Sequence, residues 1–168
     1  FLEIDGGILK EALNQVVVAT QFLDLRPELN SVLFHLSSDG LKLVATDSFR
    51  LAEKIIPPTQ YKLENNNNLK LLIPLKTTTE LLKILKPQEM VRMYYDENQV
   101  LFTTKRFEFI SRLVDGAFPD YTAVIPKKFE AEVVLNRGEF VDALKLTGVF
   151  GSKFNEVKIR IPDTKKTL

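Results

Sequence analysis

The chain carries little that could do covalent chemistry. His35 is its single histidine and cysteine is absent, so a nucleophile with a base held beside it is poorly supplied. Without cysteine, neither a disulfide nor a thiol-ligated zinc can staple the fold. His35 stands inside Val32-Leu33-Phe34-His35-Leu36, where its simplest role is structural. Asp47, Asp115 and Asp120 could in principle gather around magnesium, but each adjoins a turn signal, where aspartate accepts from nearby backbone N–H groups. Gly6-Gly7 lacks the Gly-Lys-Ser that would complete a phosphate-cradling loop. The expectation is a protein without cofactor or metal that binds rather than catalyses, and a small hydrolase built on these aspartates is the weakest of the readings.

Lysines are the more suggestive residues. Lys10 falls on one helical segment, Lys76, Lys83 and Lys86 on or beside a second, and Lys145 and Lys153 on or near a third. A solvated face is the ordinary explanation. Equivalent helices in a repeat can instead line one surface, and sparse lysines there would attract a phosphate backbone without reading bases.

The repeat is present. Ile4 to Leu13 has a counterpart 69 positions later in Ile73 to Leu82 (73 − 4) and a third 131 positions later in Leu135 to Leu144 (135 − 4). Repeats decide architecture before single residues do. After the first helix the sequence predicts strands over 32–36, 41–46 and 49–56, with Asp39-Gly40 as a tight turn. After the second it predicts strands over 91–95, 100–104 and 107–114. The fold class expected is α+β: repeated β-α-β-β-β units, with helices on one side of antiparallel sheets.

Periodicity places the first helix over 7–21, with an apolar stripe of Ile8, Leu9, Ala12, Leu13, Val16, Val17 and Thr20. The second is expected over 78–85, with Thr77 as cap and Glu80 closing a capping box. Asn136 and Glu139 open the third, whose buried side would be Phe140, Ala143, Leu144 and Leu146. Pro57-Pro58 through Asn65-Asn66-Asn67-Asn68 is expected to join the two units as loop. The chain thus divides into 1–127, made of units at about 1–66 and 67–127, and an incomplete unit at 128–168.

With 168 residues, 45% of them apolar, the chain can bury a real core, and a net charge of +1 argues against a blanket nucleic-acid binder. No apolar run approaches the roughly 20 residues that span a bilayer, and a soluble intracellular protein is expected. The first residue, Phe1, and the break within the third unit suggest a piece of a longer polypeptide.

Two strings carry a resemblance. Leu43-Val44-Ala45-Thr46-Asp47-Ser48-Phe49-Arg50-Leu51-Ala52, preceded by Arg26-Pro27-Glu28-Leu29, and Ser111-Arg112-Leu113-Val114-Asp115-Gly116-Ala117-Phe118-Pro119-Asp120-Tyr121 closely resemble the bacterial sliding clamps, the beta subunits of DNA polymerase III. The resemblance implies the DNA-clamp fold. It makes 1–127 a complete middle domain and 128–168 the first half of the last domain. It also implies a head-to-tail dimeric ring around duplex DNA, which tethers a polymerase without catalysing anything and without a cofactor, in the bacterial cytoplasm. Partners would be the replicative polymerase, the clamp loader and repair proteins, each through a short peptide. A peptide-interaction module that never encircles DNA is the alternative.

By that resemblance the peptide cleft comprises Leu29, Thr46, Ser48, Phe49, Arg50, Leu51, Pro119, Ala123 and Val124. Leu29, Leu51, Pro119 and Val124 would form an apolar socket, though Leu51 and Val124 read equally well as ordinary core. Arg50 would donate to peptide carbonyls and Thr46 would offer a hydroxyl. Ser48 and Phe49 stand where many relatives have glycine and some have histidine, and Ala123 where some have a base. Lys76 matches a DNA-facing position of the family, whereas Lys10, Lys83 and Lys86 are assigned to that face by helix position alone. Arg26 either contacts DNA or holds its loop.

Overall fold

The computed structural model describes residues 1–20, 26–64, 69–129, 131–150 and 157–160. They form two compact units, Phe1–Val124 and Ile125–Leu168. In the first, β1 (Leu2–Asp5) leads directly into α1 (Gly6–Val16), followed by β2 (Ser31–Ser37), β3 (Gly40–Thr46) and β4 (Leu51–Ile56). A short β5 (Tyr61–Leu63) intervenes before β6 (Leu69–Pro74), α2 (Leu75–Ile84), β7 (Met90–Tyr95), β8 (Gln99–Thr103) and β9 (Glu108–Arg112).

The two repeats exchange their first strands. One sheet has the order β5-β1-β7-β8-β9 and the other β4-β3-β2-β6, with antiparallel pairing throughout. Thus β1 completes the sheet of the second repeat and β6 that of the first. Neither repeat can bury its inner face without the other, which makes 1–124 one cooperative module. Inward residues of both sheets, among them Phe34, Leu43, Ile73, Met93 and Phe102, meet Leu9, Ala12, Leu13 and Val16 of α1 and Leu81 of α2 in a single core. Alternation along each strand produces this, since every second side chain faces the same way.

The helix start recurs at the repeat spacing. Asp5, Pro74 and Asn136 are the N-caps of α1, α2 and α3 (Arg137–Gly148), and the last two stand 69 and 131 positions after Asp5 (74 − 5 and 136 − 5). Asp5 accepts from the N–H groups of Gly7 and Ile8 at 2.8 and 3.2 Å, and Asn136 from Gly138 and Glu139 at 2.9 and 3.3 Å. These satisfy donors that no helical carbonyl can reach.

Pro74 has no such side chain, and here the expected capping box fails. Instead of starting at residue 78, α2 starts at Leu75, because β6 runs straight into it. Thr77 is therefore buried inside the first turn, its hydroxyl 2.6 Å from that of Ser111, and Thr78 donates back to the Pro74 carbonyl at 2.8 Å. Threonine hydroxyls satisfied in this way do not compete with the helix.

Smaller differences follow from local geometry. Regular helix in α1 ends at Val16 and tightens to a 3-10 turn over Val17–Ala19; Gln21 lies outside the described residues. The expected 57–68 loop contains β5, whose register with β1 pairs Tyr61 with Ile4 and Leu63 with Leu2; Asn65 to Asn68 lie outside the described residues. Gly40 has φ of 136° at the β2–β3 turn, where a Cβ would collide with the Ile56 carbonyl.

In the second unit α3 buries no residue fully: Phe140 and Leu144 are half-buried, while Ala143 and Leu146 are exposed. The expected buried side is not covered, because no strand occurs among the described residues of that unit. Lys153 lies outside the described residues.

Candidate functional site

The candidate site is built on the outer face of the four-stranded sheet. Alternation places Leu33 and His35 of β2, Lys42 and Val44 of β3, Leu51 and Glu53 of β4, and Lys70 and Leu72 of β6 on that face. Four of the eight are apolar, so part of the face requires a cover. The chain supplies one after β9. Leu113 donates to the Asn98 carbonyl at 2.8 Å and Val114 to the Leu72 carbonyl at 2.8 Å, which carries the backbone from one sheet to the other. Residues 114–121 then drape over the face. Val114, Phe118 and Tyr121 pack with Leu33, Val44, Leu51 and Leu72 in a second apolar cluster, separate from the main core.

Tyr121 pins this cover. Its ring is buried, lies edge-on to Phe118 with centroids 6.2 Å apart, and its hydroxyl donates to Glu53 at 2.7 Å. Burial, then the hydrogen bond and charge of Glu53, push the Tyr121 phenol well above its ordinary value. Between the cover and the sheet lies a hollow of about 500 Å³, lined by Leu33, Leu72, Phe118, Pro119 and Tyr121 with His35, Lys42 and Lys70 at one end. Burial, then the charges of Lys70 and Lys42, hold His35 below the usual imidazole value. That environment favours a neutral structural histidine.

The β3–β4 turn lies at the other end of β3 from Lys42. Thr46 and Leu51 are paired in register, and the four residues between them form a tip. Asp47 accepts from the N–H groups of Phe49 and Arg50 at 2.9 and 2.6 Å, and from the Arg50 guanidinium at 2.9 Å. Burial works against its charge, but those N–H groups and the guanidinium hold its carboxyl below the usual carboxylate range. Ser48 adopts φ of 74°, a left-handed conformation uncommon outside glycine.

Each residue assigned to the cleft has a definite place. Leu29 is fully buried and offers no surface; Pro119 is half-buried and lines the hollow, and Leu51 is half-buried against the outer apolar cluster. Thr46 is half-buried, and its hydroxyl donates to the Arg50 carbonyl at 2.7 Å, so within the turn it is a brace. Phe49 is 94% exposed. Ala123 and Val124 stand exposed on the 3-10 turn Tyr121–Val124 and join neither apolar cluster. Val124 is thus surface rather than core.

Tyr121, Glu53 and Asp47 were not among the sequence's site residues. The first ends one of the two informative strings; the second was detectable only as an acid sharing an apolar strand face with Leu51. Asp47 was expected only to brace its turn, and it also holds the Arg50 guanidinium.

The lysines divide. Lys76 and Lys86 are exposed and have no acidic partner within 4.0 Å among the described residues. Lys83 pairs with Glu80 at 2.8 Å. Lys10 is half-buried and donates to the Leu85 carbonyl at 3.1 Å, tying α1 to the end of α2; this corrects its assignment as a free surface charge. Arg26 pairs with Glu28 at 3.1 Å within its own loop. Among the described residues no group of His, Cys, Asp and Glu is placed to hold a metal, and no helix is long and apolar enough to cross a membrane.

A family model described as the DNA polymerase III beta subunit, central domain, matches residues 3–120. The chain belongs to that family. It is 36% identical over 144 residues to the beta sliding clamp of Bacillus subtilis (strain 168), covering 85% of this chain and 37% of that protein. The beta sliding clamp of Staphylococcus aureus (strain N315) is 32% identical over 145 residues, with the same coverage of 85% and 37%. In structure the chain matches the DNA polymerase sliding clamp of Bacillus subtilis with a TM-score of 0.83 at 34% identity, over 90% of this chain and 40% of that one. The DNA polymerase III subunit beta of Pseudomonas aeruginosa gives 0.82 at 28% identity, over 89% and 40%. The fold is therefore the α+β sliding-clamp fold, and the chain spans a little over a third of the length of these curated relatives.

Proposed function

We propose that this chain is part of a sliding clamp: residues 1–127 its middle domain and 128–168 the first half of its last domain. In this reading the whole protein is a head-to-tail dimeric ring around duplex DNA, without catalysis of its own, in the bacterial cytoplasm. It holds the replicative polymerase, the clamp loader and repair proteins through short peptides, and the tether raises their effective concentration at the primer end.

The observation that carries the reading is the partly covered apolar outer face of the four-stranded sheet, with a hollow of about 500 Å³ and, at the far end of β3, a braced turn bearing exposed Phe49 and Arg50. An apolar socket with polar donors at its edge suits a peptide with a Leu or Phe anchor, the kind of buried centre that dominates binding energy. Lys76 and Lys86 supply a sparse positive surface, which suits loose attraction to a phosphate backbone.

The test is a titration of the isotope-labelled chain with a synthetic peptide carrying adjacent Leu and Phe anchors. Amide shifts confined to 46–51 and 119–124, with weak affinity because the family builds part of its cleft from the far end of the last domain, are the expected result. Absence of shifts at those residues would overturn the cleft assignment, and full-strength binding by calorimetry would contradict the need for the remaining domain. For DNA, Lys76→Glu should lessen the salt dependence of association; an unchanged slope removes Lys76 from the DNA-facing surface.

A further inference from the structure

The equivalent turns of the two repeats are built alike but carry their aromatic and arginine in exchanged order, so that Phe49 corresponds to Arg106 and Arg50 to Phe107. In the second repeat Thr104 takes the place of Asp47: its N–H donates to the Phe107 carbonyl at 2.9 Å, as that of Asp47 does to Arg50 at 3.3 Å. The Thr104 hydroxyl accepts from Arg106 and Phe107 N–H groups at 3.0 and 3.3 Å. There Phe107 packs against the main core and Arg106 is engaged by Glu89. That turn is complete without a partner.

The first-repeat turn is not. Its aromatic, Phe49, projects into solvent, yet every backbone N–H from 47 to 50 has an acceptor within the turn. Asp47 donates to the Arg50 carbonyl, Ser48 to the Thr46 hydroxyl at 3.1 Å, and Phe49 and Arg50 to the Asp47 carboxylate. At an exposed tip water would satisfy these groups equally well, so the bracing is not needed to avoid orphan donors. What it does is hold Ser48 left-handed, fix the backbone from which Phe49 projects, and anchor the Arg50 guanidinium on Asp47. Strain of this kind persists only where surrounding interactions over-determine it.

We propose that Asp47 is the positioning residue of the peptide cleft, holding the 46–50 turn so that Phe49 and Arg50 are already placed when a partner's peptide arrives. The inference rests on the clamp reading and names a residue that contacts the turn, not the peptide. Ordering two side chains and a tip in advance removes that cost from binding.

The experiment is a double-mutant cycle on the full chain, with affinity for the same Leu-Phe peptide read by amide shifts. Asp47→Ala is expected to weaken binding about tenfold and to speed exchange of the 47–50 amides. Asp47→Asn retains the Oδ1 acceptor and should lose less. In a background of Phe49→Ala with Arg50→Ala the effect of Asp47→Ala should shrink to about twofold or less, because the groups it positions are gone. Unchanged affinity in either Asp47 variant, with a wild type that binds, overturns the proposal, as does a full loss in the Phe49/Arg50 background, which would mark general destabilisation. If Asp47→Ala fails to fold, Asp47→Asn with the same cycle decides. A wild type that shows no shifts at the cleft fails the clamp reading itself, and the proposal with it.

Discussion

The two sheets share one plan and have opposite outer faces. On the four-stranded sheet that face carries Leu33, Val44, Leu51 and Leu72 beneath a cover pinned by Tyr121. On the five-stranded sheet the corresponding face carries Glu3, Lys62, Arg92, Tyr94, Thr103 and Glu108, with Leu101 and Ile110, under no such cover and mostly open to solvent. Glu3 there holds Arg92 at 2.7 Å and Lys62 at 3.8 Å, and Tyr94 lies 5.4 Å from the ring of Phe1. The inner faces do the same job in both repeats and belong to one core. The comparison teaches that strand exchange builds the frame, while the segment after β9, which covers only one face, makes a cleft.

The sharpest way to break that contrast is to remove one tyrosine from each face. Tyr121→Ala should cost about 3–5 kcal/mol, the range for emptying a large buried aromatic site. Tyr94→Ala should stay within about 0.5 kcal/mol, as exposed positions do. Urea unfolding midpoints measure both, and equal losses would mean that the outer cluster is not a second core.

Next in size is the tyrosine hydroxyl alone. Tyr121→Phe leaves Glu53 without its donor and is expected to cost about 1.5 kcal/mol, typical of a hydrogen bond to a charged group. The pH dependence follows from the direction of the shift. A phenol raised in the folded state contributes stability that is fully present below its ordinary value and is lost as pH rises through its folded value. Wild type should therefore lose this contribution above about pH 10, where free tyrosine titrates, and Tyr121→Phe should lose less over the same interval. Spectrophotometric titration should show Tyr121 ionising above the ordinary tyrosine range.

Between the repeats, the helix caps offer a smaller test. Asp5→Ala removes two N–H acceptors at the start of α1 and should cost about 1 kcal/mol. Pro74 has no side-chain acceptor, so Pro74→Ala should not lose that contribution. Smallest is the ion-paired face: Glu3→Gln should change stability by about 0.5 kcal/mol or less, shrinking further with added salt, since exposed pairs gain little.

Much of the frame was legible. The copies at Ile4, Ile73 and Leu135 located all three helix starts at fixed spacing, because the same cap position recurs. The start of α2 was misread because Thr77 and Glu80 imitate a capping box, and nothing local shows that β6 continues to Pro74. β5 was missed because a three-residue edge strand among prolines and asparagines has no periodicity of its own; β1 supplies its ladder. For the site, the family strings brought forward Thr46 to Leu51 and Pro119, whereas the bond from Lys10 to the Leu85 carbonyl, 75 positions away, was not legible.

The sequence by itself determined the repeat, the inner apolar faces and the turn chemistry of Asp39-Gly40 and Asp47, since each depends on residues a few positions apart. Only the tertiary structure decided which sheet face is covered, that Tyr121 meets Glu53 across 68 positions, and that Phe49 stands outside while Phe107 is drawn in. Those outcomes depend on which distant surfaces remain unburied once both repeats have exchanged strands, and no local pattern encodes that remainder.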